Sequence, residues 1–341
     1  MMKIYTEHNF LKDDNRKMIF PLLFDIVYVP NDKTRSNFIL TDSLSEADVA
    51  IFPVDIVSFL RKDKSNFFEN WILKVSEYKV PIWIYAAGDF GFTYKKDNVL
   101  TFRLGGFNSK LSSNSCIIPC FVNDPYDSIL KNDFFVLSKN EKPRIGFVGN
   151  ANGSFSKLIK EFVLYLRRNI INLKFKYPED YHPFYPAGKN RYKLLQKIQK
   201  DQRIESDFIF RDKYLGGNND KSTREKTTLE FFKNIQDNLY TFCLRGNGNF
   251  SVRFYEALIM GRIPVLIDTD VRLPLSDKID WTKHCLIVSE DSIIQDLILF
   301  HTTKTEMELK QIQENNRKLV LEKLNRIDYF IQIANEKFKN K

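Results

Sequence analysis

Residues Tyr240 to Trp281 read YTFCLRGNGNFSVRFYEALIMGRIPVLIDTDVRLPLSDKIDW. Tyr240 to Leu244 is an apolar run suited to a buried strand. It leads into Arg245-Gly246-Asn247-Gly248-Asn249, a loop that sets glycines beside an arginine. A short helix is expected from about Ser251 to Met260, stopped by Gly261, and a second buried strand from Ile263 to Ile267. The stretch is therefore a βαβ unit with its glycines at the strand-to-helix turn. At such a turn, backbone N–H groups and the positive end of the helix macrodipole converge on an anion. The unit is expected to grip a phosphorylated ligand.

The side chains around the turn sharpen that expectation. A guanidinium holds a diphosphate through parallel charge-assisted bonds and stays charged under all ordinary conditions. Arg245 leaves a buried strand directly into the loop, and Arg253 falls in the first helical turn. A cation near a helix N-terminus is unfavourable unless an anion lies close, so Arg253 is the more telling placement. Glu256, three residues on and flanked by Phe254, Tyr255, Ala257 and Leu258, is placed to accept ribose hydroxyls. Gly246, Gly248, Asn249 and Ser251 line the turn as donor-binding candidates. Asp268-Thr269-Asp270 has the DxD form of a metal clamp, but no third carboxylate or histidine stands near it in sequence, and no metal is expected.

Outside this unit, composition sets the bounds. The chain has 341 residues, 43% of them hydrophobic and 14% aromatic, enough for two sizeable cores. No apolar run approaches the roughly 18–20 residues of a membrane span, and the opening MMKIYTEHNF lacks a signal-peptide core. The expected location is the cytoplasm, with peripheral contact at the inner face of a membrane. Cys243 and Cys285 sit in strand-like contexts where a buried, reduced thiol is expected, and Cys116 and Cys120 lack the CxxC spacing. The net charge of +9 is compatible with nucleic acid, an anionic membrane or a phosphorylated small molecule. No RNP, zinc-finger or basic-zipper pattern is present, which argues against nucleic acid.

The first half alternates short apolar runs with helical stretches. Lys3 to Thr6, Ile26 to Val29, Val49 to Val54, Pro81 to Ala87 and Ile117 to Phe121 read as strands, with a helix over Ser65 to Tyr78. A polar segment, Leu137 to Pro143, reads as a linker. The pattern restarts with a strand over Arg144 to Val148, the turn GNANGS and a helix over Phe155 to Arg168. Lys174 to Tyr192 reads as an irregular excursion and Gly216 to Lys221 as a polar loop. From Thr305 to Phe338 a long helical region carries an apolar stripe. The expected domains are 1–136 and 137–304, both Rossmann-like α/β, with 305–341 packing back across them. Asp89, between Gly88 and Phe90-Gly91 after a strand, is the first candidate for a base that takes a proton from an acceptor hydroxyl. Glu7-His8, after the first strand, is the second, and Asn150 at the end of the 144–148 strand adds a donor-side candidate. Neither GxGxxG nor a P-loop occurs.

Within Tyr240 to Trp281 the chain resembles the C-terminal signature of exostosin-type glycosyltransferases. The resemblance runs through Phe242-Cys243, Arg245-Gly246, Ser251, Arg253, Glu256-Ala257, Gly261, Ile263-Pro264-Val265, Asp270, Leu273-Pro274 and Asp280. The first half matches more weakly, through Ala47-Asp48 and Asp89, with Gly88 where members often carry a histidine. The resemblance implies a GT-B architecture of two Rossmann-like domains facing a central cleft, in a compact, microbial-type member. It implies an inverting, metal-independent enzyme that moves a sugar from a nucleotide-sugar, UDP-linked by expectation, to a glycan or lipid-linked glycan acceptor. No cofactor beyond the donor is expected. Lysines of the C-terminal helical region would rest on an anionic membrane. The competing reading is a non-catalytic glycan- or nucleotide-binding protein that retains the fold.

Overall fold

The structure, a computed structural model, describes residues 1–211 and 220–338, with side chains through Glu336. The first sheet holds β1 (Met2–Tyr5), β2 (Phe38–Thr41), β3 (Val49–Asp55), β4 (Ile82–Ala86), β5 (Val99–Arg103) and β6 (Ser115–Ile117). They pair in parallel in the order β2-β1-β3-β4-β5-β6. Every residue of β3 and of β5 is buried, as continuous apolar strands covered by helices on both faces require. Those helices are α1 (Pro21–Tyr28), α2 (Asp32–Asn37), α3 (Ile56–Leu60) and α4 (Ser65–Glu77).

The second sheet holds β7 (Arg144–Asn150), β8 (Glu205–Arg211), β9 (Tyr240–Cys243), β10 (Ile263–Ile267) and β11 (Leu286–Val288). Its order is β11-β10-β9-β7-β8, again parallel. Around it lie α5 (Phe155–Asn172), α6 (Ala187–Gln199), α7 (Lys221–Asp237), α8 (Val252–Ile259) and α9 (Ile293–Thr303). In both sheets the winding reverses beside the first strand, between β1 and β3 and between β7 and β9. Ligands of doubly wound sheets bind outside the carboxyl ends at that reversal.

Several sequence expectations need correction. Ile26 to Val29 is not a strand. Residues 21–28 are α1, because Pro21 presets the first helical turn and Leu22, Leu23 and Asp25 turn inward at helical spacing. The strand expected over Ile117 to Phe121 ends at Ile117, ahead of Pro119, which has no N–H for the ladder. β2, β5 and β8 are additional strands. Of the Gly216 to Lys221 loop, 216–219 lie outside the described residues, while Asp220 caps α7 by accepting the N–H groups of Ser222 and Thr223. All four cysteines are free.

The carboxyl edges of the two sheets face each other and are stapled together. Phe107, after β5, forms an antiparallel bridge with Val271. Asp270, at φ 60°, accepts from the backbone N–H and hydroxyl of Ser109. Arg272 donates to Asn108, Leu111 and Ser112. This is the GT-B arrangement. At the C-terminus, α10 (Glu306–Leu319) buries Leu309 in the second core. A wide turn over Val320–Leu324 follows, and α11 (Arg326–Phe338) sets Phe330 among Phe20, Trp83 and Phe102 of the first core. Arg326 clasps Asp25 of α1 at 2.6 Å.

Candidate functional site

At the β7–β9 reversal, Arg245 leaves β9 and is 3% exposed. Its guanidinium donates to the carbonyls of Asn247 at 2.8 Å and Gly246 at 3.4 Å, and lies over the rings of Tyr185 and Phe107. Among the described residues it forms no ion pair. Burial therefore weakens its hold on the proton, though a guanidinium stays charged at neutral pH. His182 approaches it at 3.5 Å through Nδ1, and Nε2 sits 3.1 Å from the carbonyl of Phe90. Because Arg245 can only donate and the carbonyl can only accept, His182 must carry its proton on Nε2. Burial, then the charge of Arg245, pushes its pKa down to about 4, so the ring is neutral at physiological pH. His182 belongs to the stretch read as an irregular excursion and carried no motif signal.

A second guanidinium, also absent from the sequence reading, completes the cluster. Arg191 in the first turns of α6 donates to the carbonyl of Asn150 at 2.6 Å and to that of Arg245 at 3.1 Å. Its Nε is buried without a partner, and it forms no ion pair among the described residues. Burial, then the neighbouring Arg253, lowers its pKa to about 10. Arg191 lies in the Lys174 to Tyr192 stretch expected to be irregular, whose end from Ala187 on is instead helical. Arg253 reaches across to the carbonyl of Val148 at 2.7 Å and stacks on Phe147. Lys157 of α5 holds the Asn150 side chain at 2.6 Å. Cationic groups from β9, α6, α8 and α5 thus converge on one crevice.

Glu256 lies one turn further along α8. It keeps some solvent contact, yet protein surrounds most of its carboxyl, and burial lifts its pKa to about 7 against the opposing pull of Arg253. The other loop candidates divide. A side chain at Gly246 would meet open space, whereas one at Gly248 would run into the backbone oxygen of Asp89. Gly248 is therefore one of the points where the two halves touch. Ser251 precedes α8 with a hydroxyl that makes no capping bond. Asn249 is fully buried, and its amide is spent on the carbonyls of Gly106, Thr269 and Asp270 and on the Thr269 hydroxyl. Its side chain pins the loop. The carboxylate of Asp268 accepts the N–H of Asp270, which in turn grips Ser109.

On the facing edge, Asp89 is exposed in the loop after β4, with Gly88 and Gly91 at positive φ on either side of Asp89-Phe90. Its charge bears on Arg245 and Arg168. Arg103, 1% exposed, shapes this wall by donating to the carbonyls of Phe90 and Gly105 and pairing with Asp180. Glu7 is held elsewhere, accepting from the Tyr5 hydroxyl at 2.9 Å and facing Lys74 at 3.6 Å. His8 lies at the surface, 3.4 Å from Asp42.

Similarity to known proteins falls on the same residues. The model of the Exostosin GT47 domain matches residues 185–303. This stretch is similar to the exostosin GT47 domain. It contains Tyr185, Arg191, Arg245, Arg253 and Glu256, so the crevice is largely built within it. A probable glucuronosyltransferase of rice, Oryza sativa subsp. japonica, is 32% identical over 81 residues, 24% of this chain and 19% of that protein. An exostosin-1 homolog of Caenorhabditis elegans is 33% identical over 106 residues, 30% of this chain and 28% of that protein. The matches thus span under a third of these relatives' lengths. A solved glycosyltransferase from Rickettsia africae aligns with 100% of this chain and 99% of its own at 11% identity, with a TM-score of 0.39.

Proposed function

We propose that the protein is a glycosyltransferase that moves a sugar from a nucleotide-sugar, UDP-linked in the simplest case, to a glycan acceptor. The observation that carries this reading is the buried Arg245 and the half-buried Arg191, whose guanidinium donates to the Arg245 carbonyl at the β7–β9 reversal, neither of them in an ion pair among the described residues. Burying such charge is costly unless an anion completes it, and a diphosphate supplies two negative centres of matching geometry.

In this reading Arg245, Arg191 and Arg253 neutralise the diphosphate, with the open backbone at Gly246 and the hydroxyl of Ser251 admitting its oxygens. Charge grows on the diphosphate as the glycosidic bond breaks, so these fixed donors favour the transition state over the ground state. Glu256 accepts the ribose hydroxyls, and Asn150 borders the same crevice. Asp89 takes the proton of the acceptor hydroxyl as it attacks the anomeric carbon from the opposite face, which inverts the configuration. Glu7 is the alternative base, already engaged by Lys74 and Tyr5. With arginines on the leaving group, the transfer runs without a metal.

The test is a thermal-shift screen of the full chain against UDP, GDP, CMP and ADP and their sugar conjugates in EDTA, followed by assay of free nucleotide diphosphate release. At a concentration about 100-fold above the dissociation constant a ligand adds about 2.7 kcal/mol, a shift of a few degrees. A shift for one nucleotide with slow release from its sugar conjugate supports the proposal. Binding without release points to a binding protein, and no binding at all contradicts the donor site.

A further inference from the structure

Helix α5 is amphipathic in the reverse sense for a helix packed on a protein. Asn172 is its only buried residue. The side turned toward the protein is polar. Lys157 reaches Asn150, Arg168 reaches Glu179 at 3.4 Å, and Asn172 exchanges two bonds with the backbone of Glu179. The opposite side carries Phe155, Ile159, Phe162, Val163, Leu166 and Ile170, each between 42% and 69% exposed. Leu173, just past the helix, is 82% exposed. At helical spacing these residues fill a sector of about 100°, and the exposed Leu164 and Ile171 extend the apolar surface past Lys160 and Arg167.

The charges that border this sector are of one sign. Lys160 and Arg167 lie along its edge, and residues 155–176 contain six lysines and arginines against one acid, Glu161, which faces inward. Beside the helix, a cavity of about 610 Å³ opens between Leu166, Asn169 and Tyr181 and runs to Thr93 and Asp180 on the cleft wall. The C-terminal helices bury Leu309, Leu319 and Phe330 in the two cores. Among the described residues no helix is long and apolar enough to cross a membrane.

We propose that α5 is a membrane-surface helix that lies in the plane of an anionic bilayer. Its apolar sector enters the boundary between headgroups and acyl chains, and Lys160 and Arg167 meet lipid phosphates. A large apolar moment bordered by basic residues is the pattern of helices that lie on membranes. The charge complementarity selects an anionic lipid surface over a protein partner. Docked in this way, the cavity and the Asp89 side of the cleft sit close to the lipid. The inference does not depend on the donor-site reading, because lipid binding and nucleotide binding are read separately.

The experiment is co-sedimentation of the full chain with vesicles of phosphatidylcholine alone and of phosphatidylcholine mixed with phosphatidylglycerol. The wild type should bind the anionic vesicles and release with salt. The triple variant Ile159→Ser/Val163→Ser/Ile170→Ser should bind roughly tenfold less or worse, with its melting temperature and UDP-induced thermal shift unchanged because the replaced side chains are exposed. Lys160→Gln/Arg167→Gln should weaken binding to the anionic vesicles selectively, with less salt dependence. Failure of the wild type to bind, or equal binding by the triple variant, would overturn the proposal. A concentration-dependent dimer that the triple variant abolishes, without vesicle binding, would assign the face to a second copy of the chain and overturn it equally.

Discussion

The two sheets share one winding order, yet their carboxyl edges treat charge in opposite ways. On the first, Arg103 is paired with Asp180, Glu7 with Lys74, and Asp55 accepts the backbone N–H groups of Ser58 and Ala87. Only Asp89 stands exposed there as a carboxylate with no ion pair among the described residues. On the second, Arg191 and Arg245 stand without ion pairs among the described residues, each spending donors on backbone carbonyls. Topology fixes where a crevice forms, and the loops after the strands decide what it holds. A charge with a built-in partner shapes the wall, whereas a buried charge without one is left for a ligand to complete in the proposed reading.

The largest effect should come from the facing edge. Asp89→Asn should lower turnover by about 10²–10⁴-fold while leaving UDP affinity unchanged, measured by steady-state kinetics alongside calorimetry. If Asp89→Asn stays active and Glu7→Gln does not, the base is Glu7 and the contrast between paired and unpaired carboxylates fails. Arg245→Ala should lower turnover by about 10²–10³-fold, the loss seen when one fixed donor to a developing anion is removed. Arg245→Lys should recover little of it, since a point charge does not reproduce the planar fork.

Asn249 separates scaffold from site. Its replacement by alanine leaves buried carbonyls unsatisfied and should destabilise the fold by about 2–3 kcal/mol by denaturant titration. If Asn249→Ala is instead stable and binds UDP poorly, its amide serves the donor after all.

Glu256 gives the smallest and most pH-specific effect. Because donor contact favours the carboxylate, UDP affinity should rise with pH through about 7 in the wild type and stay flat in Glu256→Gln. Its folded pKa lies above the ordinary 4.5, so its contribution to stability is fully present below that value and lost as pH rises through about 7. Glu256→Gln should therefore raise the melting temperature by a few degrees at about pH 8 and leave it unchanged near pH 4.

Much of this was legible in the chain. The βαβ unit after Tyr240 could be read because strand, glycine turn, helix and Gly261 follow one another within a few residues. Gly261 indeed ends α8 at φ 66°. The short strands at 38–41 and 99–103 and the helical period of Ile26 to Val29 are not legible, because brief apolar runs look alike in helix and strand. His182, Arg191 and Arg103 were hidden for another reason. Their partners lie far away in sequence, at Arg245, Asn150 and Asp180, and only the folded chain brings them together. The reversed polarity of α5 could not be read either, since an apolar stripe does not say which side faces the protein.

The most direct test is calorimetric titration of UDP, in EDTA, into the wild type, Arg191→Met and Arg245→Met. Each charged contact to phosphate is worth about 1.5–3 kcal/mol, so each variant should bind at least about tenfold more weakly at unchanged melting temperature. Equal affinity in all three proteins would contradict the assignment of the β7–β9 crevice as the diphosphate site.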